Sequence, residues 1–121
     1  MKLLELRPLL WVPDLRAAVD WYVEILCFTE DEYSEEWQWA SLHRDGVGLM
    51  MAHPTGHIPY EGPKFTGSLY LRTDDVEGWW QRLKDRAEVV YPVESFDWNM
   101  REFAIRDLNG FMIQIGQELE P

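Results

Sequence analysis

The chain repeats itself, and that repeat limits what it can fold into. Moving the second half back by 61 residues places Leu71 on Leu10, Asp75 on Asp14 and Val76 on Leu15. A shift of 62 places Arg106 and Asp107 on Arg44 and Asp45. In the first half, residues 3–12 form an apolar-rich run that reads as a strand, Pro13-Asp14 interrupts it, and Asp14 is a good helix N-cap. Over residues 15–26 the apolar positions Leu15, Ala18, Val19, Tyr22 and Leu26 recur at helical spacing. The acidic stretch 30–36 reads as a solvated loop. Residues 37–43 and 47–52 read as two strands around the turn Arg44-Asp45-Gly46. The second half follows the same order: a strand at 68–73, a break and cap at Asp74-Asp75, a helix at 76–86, a short strand at 87–91 and a loop at 94–99. Strands at 101–106 and 111–116 then flank Asp107-Leu108-Asn109-Gly110. The expectation is a single α+β domain of 121 residues built from two β-α-β-β-β modules, about 1–53 and 67–121, with curled antiparallel sheets around a concave cleft. The Pro- and Gly-rich stretch 54–66 reads as their linker.

Side-chain alternation along the strands assigns faces. In the first strand Leu6, Leu10 and Val12 read as the helix-packed face, and Arg7, Leu9 and Trp11 share the other. In the strand at 68–73, Leu69 and Leu71 point to the helix and Ser68, Tyr70 and Arg72 away from it. In the last strand Phe111, Ile113 and Ile115 belong to the core and Met112 and Gln114 to the opposite side. The concave surface thus carries Arg7, Trp11, Ser68, Tyr70 and Gln114: aromatic and polar, with no chelating set.

Twenty-two acidic residues against eleven basic ones give a formal charge of −11, which repels phosphate backbones and argues against nucleic acid as a partner. The same charge favours the approach of a cationic ligand. No apolar run approaches the roughly 20 residues needed to cross a bilayer, and the N-terminus lacks a signal peptide's apolar stretch, so a cytoplasmic location and no membrane partner are expected. Cys27 is the only cysteine, which excludes an intrachain disulfide, and its Leu-Cys-Phe setting reads as a buried small hydrophobe. Glu102 lies among strand residues near the cup and is a candidate general base. His43, His53 and His57 fall on a strand and in the loop that follows, in no catalytic pattern.

The segments WVPDLRAAVDWYVEIL, LYLRTDDVEGWW and FAIRDLNGFMIQI resemble the vicinal oxygen chelate superfamily, which includes glyoxalase I, extradiol dioxygenases and bleomycin-resistance proteins. The likeness covers essentially the whole chain. In metal-dependent members a ligand stands seven residues before the first capping Asp, which here is Arg7. The equivalent in the second half is Ser68, the third ligand position is Gln114, and the fourth falls at Met50 or Met51. A guanidinium, a hydroxyl, an amide and a thioether do not suit a hard divalent ion, so no metal and no other cofactor is expected.

Within the superfamily, REFAIRDLNG at 101–110 is similar to the closing motif of the bleomycin-resistance group (Arg-Glu-Phe-Ala-x-Arg-Asp-Pro-x-Gly), with Leu108 where proline is usual. That resemblance implies aromatic drug contacts at Tyr33, Trp39, Tyr70 and Trp98, beside Arg7, Ser68 and Gln114. It also implies a homodimer with two interface clefts, each sequestering a cationic, planar-ringed, bleomycin-like antibiotic without chemistry. The acidic clusters Glu30-Asp31-Glu32 and Glu35-Glu36 are its expected cation-attracting rim. The alternatives are a metal-dependent enzyme of the glyoxalase or dioxygenase type, and a binder of the same fold for an unrelated metabolite.

Overall fold

The structure, a computed structural model, describes residues 1–54 and 57–120. Two residues of the expected linker, 55 and 56, and the terminal residue 121 lie outside the described residues. The chain divides into two compact units, Met1–Pro63 and Lys64–Pro121. The first holds β1 (Leu9–Trp11), α1 (Leu15–Leu26), β2 (Thr29–Ser34), β3 (Trp39–Arg44) and β4 (Val47–Ala52). The second holds β5 (Leu69–Arg72), α2 (Val76–Leu83), β6 (Glu88–Phe96), β7 (Met100–Arg106) and β8 (Met112–Glu118).

Each unit is one four-stranded sheet, ordered β1-β4-β3-β2 and β5-β8-β7-β6. The three-strand meander of each is antiparallel, while β1 joins β4, and β5 joins β8, in parallel. The helix explains the parallel edge: it returns the chain to the starting end of the sheet, so the next strands run up, down and up, and the last arrives parallel to the first. The sheets are therefore mixed.

Asp14 caps α1 by accepting from the Ala17 N–H at 3.1 Å, and Asp75 caps α2 by accepting from Gly78 at 3.0 Å. The apolar stripe of α1 (Leu15, Ala18, Val19, Tyr22, Leu26) is buried against Ala40, Leu42 and Met51 of its sheet. In the second unit Val76 and Leu83 of α2 share a core with Phe103, Ile105, Ile113 and Ile115, and Trp80 meets Phe103 edge-on at 5.3 Å.

Several local expectations are corrected. The first strand is three residues rather than ten, and Leu6, expected in the core, is exposed with Leu3 and Leu4. Of that run only Leu9–Trp11 are in the ladder with β4, and a strand without a ladder partner has nothing to hold it in water. The acidic stretch is a turn only at Glu35 and Glu36; up to Ser34 it belongs to β2, an edge strand, where charged side chains discourage pairing with another chain. The short strand and loop expected at 87–99 are one nine-residue strand, β6, closed onto β7 by a tight turn. Helix α2 stops at Leu83, where Arg86 and Ala87 both bond back to its carbonyl and tighten the last turn. Cys27 is half-buried rather than buried; it ends α1 in the left-handed conformation at φ 60°.

Asp14→Ala and Asp75→Ala each remove a cap and are expected to lower unfolding stability by about 1 kcal/mol. Urea unfolding followed by far-ultraviolet circular dichroism checks this, and unchanged midpoints in both variants contradict the capping geometry.

Candidate functional site

The face of the second sheet turned away from α2 carries a buried carboxylate. Glu102 on β7 is only 2% exposed, although apolar residues fill the opposite face of its strand. Its Oε1 accepts hydrogen bonds from Tyr70 Oη at 3.0 Å and Trp98 Nε1 at 3.1 Å. Its Oε2 accepts from Tyr91 Oη and from Gln114 Nε2 at 3.2 Å. Gln114 also donates to Tyr91 Oη at 2.8 Å, and Ser68 Oγ donates to Gln114 Oε1, which fixes the orientation of that amide.

Each donor reaches the carboxylate through a separate strand or turn. In the ladder Tyr70 lies beside Gln114, Gln114 beside Ala104, and Ala104 beside Tyr91. Glu102 is paired with Gly116, and a Cβ there would collide with the Tyr70 hydroxyl and ring. The missing side chain lets the phenol cross to the acid. Tyr91 arrives on this face because β6 shifts register between Val89 and Tyr91 and again before Glu94, around Pro92, on an edge strand where a proline is tolerated. Trp98 sits in the β6–β7 turn before Asn99, whose φ is 66°. Phe96 stacks on its indole at 4.5 Å and 13°, leaving Trp98 62% exposed. Tyr70 is 42% exposed.

Burial pushes the Glu102 carboxyl up, but hydrogen bonds from Tyr91, Trp98, Tyr70 and Gln114 outweigh it and hold the group below the usual carboxylate range. Tyr70 and Tyr91 are each pushed up to about 12, first by desolvation and then by donating to Glu102. The stable arrangement is thus an ionised acid surrounded by neutral phenols.

The corresponding face of the first unit is different. Arg7 lies across Gly48, where an added Cβ would stand 2.6 Å from Nη2, and its buried Nε has no hydrogen-bond partner. Glu5 is 3.6 Å from that Nε. Met50 is half-buried on this face, whereas Met51 is fully buried under α1. Trp39 is half-buried opposite Ala52. Tyr33 is on the other side: it pairs with Ala40, and the Arg16 guanidinium of α1 sits 4.4 Å from its ring centre. Arg16 is also bound to Glu30 and Asp20, which hold its guanidinium firmly protonated. The register shift between Glu30 and Glu32 produces this placement, because one extra residue turns every following side chain to the opposite face.

Of the residues singled out in the sequence, Ser68, Tyr70, Trp98 and Gln114 therefore converge on one network, centred on Glu102. Arg7 and Trp39 belong to the first unit, and Tyr33 lies on its helix side. Two residues were missed. Tyr91 was hidden by the irregular register of β6, which no alternation pattern reveals. Trp37, the first unit's strongly exposed turn tryptophan, was legible, since the 61-residue shift that aligns the capping aspartates also lays Trp98 on Trp37.

Residues 6–115 match the Glyoxalase/Bleomycin resistance protein/Dioxygenase superfamily. The chain belongs to this superfamily. Among solved structures it is similar to TnmS3, an antibiotic binding protein from Streptomyces sp. CB03234, at 25% identity and TM-score 0.76, covering 98% of this chain and 99% of that one. It is similar in fold to TioX from Micromonospora sp. ML1 at 21% identity and TM-score 0.77, over 95% and 100% of the two chains. A superfamily member from Nocardioides aligns at 20% identity and TM-score 0.78, over 99% and 87%. No curated protein matches.

The superfamily's metal positions do not fit a divalent ion in this chain. Arg7 brings a cation, Ser68 donates its hydroxyl to Gln114, the Gln114 amide is aimed at Glu102 and Tyr91, and Met50 offers a thioether. Glu102 has both oxygens occupied by donors. Of the histidines, His43 Nδ1 pairs with Asp31 at 2.7 Å and His53 Nδ1 with the Pro54 carbonyl at 2.9 Å. Among the described residues no three His, Cys, Asp or Glu side chains gather as a ligand set. Nor, among the described residues, is any helix long and apolar enough to cross a membrane.

The phenols give a direct test. Because folding raises their pKa, their contribution to stability is complete below about 10 and is lost as pH rises through about 12. The lowered Glu102 pKa works in the opposite direction, its contribution being lost as pH falls below the ordinary carboxylate range. Difference absorbance of phenolate should show Tyr70 and Tyr91 titrating near 12. Gly116→Ala should displace Tyr70 and return one of them towards 10. An unchanged titration in that variant contradicts the crossing.

Proposed function

We propose that the chain sequesters a cationic, planar aromatic antibiotic of the bleomycin type by binding alone, as a homodimer with two interface sites. The observation that carries this reading is the wall around Glu102: Trp98 backed by Phe96, with Tyr70 beside it, locked by hydrogen bonds before any ligand arrives. A flat heteroaromatic ring stacks on such a surface with about 0.5–1.5 kcal/mol per aromatic pair beyond burial. Because the wall is already ordered, binding does not have to freeze its side chains.

The same wall is poorly suited to acid–base catalysis. A general base works best with a pKa near the operating pH and a free lone pair facing the substrate. Glu102 is held in its ionised form, with donors on both oxygens. Its four partners consume the capacity that proton transfer requires. The likeness to TnmS3 supports the binding reading, and the exposed Leu3, Leu4 and Leu6 supply apolar surface of the kind a second copy covers.

Titrating chelator-treated protein with metal-free and Cu-loaded bleomycin, read by the fluorescence of its seven tryptophans, tests the reading. Saturable quenching below about 10 μM, at two drugs per dimer, is expected. Trp98→Ala and Trp39→Ala should each weaken binding by about three- to tenfold. No response up to high micromolar drug overturns bleomycin-type sequestration.

A further inference from the structure

We infer that Glu102 sets the charge selectivity of the aromatic wall, making it favour a planar aromatic cation over a neutral molecule of the same shape. The inference deepens the binder reading above and rests on it.

The starting observation is an anion with no ion-pair partner among the described residues: the exposed Arg72, two residues along β5 on the same face, acts on Tyr70 but forms no salt bridge with the acid. Tyr70, Tyr91, Trp98 and Gln114 satisfy the Glu102 oxygens, and all four donors are neutral. Hydrogen bonds from dipoles stabilise a carboxylate without cancelling its charge. A buried charge left uncancelled projects its field through poorly polarisable surroundings, where screening by salt is weak.

That field emerges through Trp98 and Tyr70, the two donors with large exposed surfaces. Both bond to the same oxygen, Oε1. An indole N–H that donates to an anion also gains electron density over its ring, which strengthens the ring's attraction for a cation stacked on it. A ligand on the open side of Trp98 therefore meets an aromatic face and a negative potential together.

The expected acidic rim is less able to supply that selectivity. Glu30 is bound to Arg16, and Asp31 to His43. Glu35 and Glu36 lie in the turn after β2, where ions in solution screen them. Those charges add to the chain's long-range attraction for a cation, while Glu102 discriminates once the ring is seated.

N-Methylacridinium and acridine, compared by equilibrium dialysis at a mildly alkaline pH where acridine is uncharged, differ in charge while sharing a ring system. The wild-type chain should bind the cation about tenfold more tightly. That preference should persist at about 0.5 M salt, where surface charges are screened. Glu102→Gln should reduce it to within about twofold while acridine affinity is kept. Since the amide also disturbs the donor set, Trp98→Phe is the control variant: it too removes a hydrogen bond to Oε1 but keeps an aromatic ring and the carboxylate charge, and it should retain most of the preference with folding intact. The paired substitution Glu35→Gln and Glu36→Gln should leave the preference at high salt unchanged. Equal binding of both probes by the wild-type chain overturns the inference and leaves the binder reading standing, as does a preference that follows the rim rather than Glu102. Failure to bind either probe counts against the aromatic-binder reading itself.

Discussion

Burying an ionised carboxylate costs several kcal/mol unless its oxygens are satisfied, and the second unit is arranged so that those of Glu102 are. The donors are not neighbours in sequence. Tyr70 comes from β5, Tyr91 from β6, Trp98 from the turn after it, and Gln114 from β8. Their convergence requires a particular ladder register, a shifted edge strand, and a glycine at 116 under the Tyr70 ring. A slip of one residue in any of these strands would turn a donor to the helix side and leave the acid short of a partner. The network therefore depends on the sheet's register and penalises the alternatives to it.

The two units show how one frame takes on different chemistry. Tyr70 pairs with Gln114 as Leu9 pairs with Met50, and Glu102 pairs with Gly116 as Trp39 pairs with Ala52. The positions are equivalent in the ladder, yet one set surrounds an anion and the other is aromatic and apolar. Arg7 adds a cation at the margin of the first set, packed on Gly48. Backbone pairing holds each frame, so side chains on the open face are free to diverge provided buried polar groups find partners.

What was legible in the sequence followed from regular periods and local chemistry. The bounds of α1, both aspartate caps and the two-module order rest on helical spacing, capping preference and turn residues, which act within a few positions. The failures have a common physical origin. Tyr33 and Tyr91 each follow a register shift, and period-two reasoning cannot see an inserted residue. Residues 3–8 looked like strand because their composition suits one, but pairing depends on how far the neighbouring strand extends. At the site, Ser68, Tyr70 and Gln114 were recoverable from face assignment alone. The central role of Glu102 was not, because its importance lies in four contacts made across the sheet.

Binding and catalysis make opposite demands on a carboxylate. A catalytic acid or base must exchange its proton, so its environment should leave the charged and neutral forms close in energy. A group that attracts a cation by its charge should stay ionised throughout, which favours many donors and no free lone pair. Glu102 meets the second demand: dipoles outweigh its desolvation, its neighbouring phenols stay protonated, and no guanidinium or ammonium is among its donors. The same four hydrogen bonds that make it a poor proton acceptor preserve its negative charge beneath an exposed indole. That opposition is the physical ground on which we propose, within a superfamily that holds both enzymes and binding proteins, that the polar wall holds a ligand.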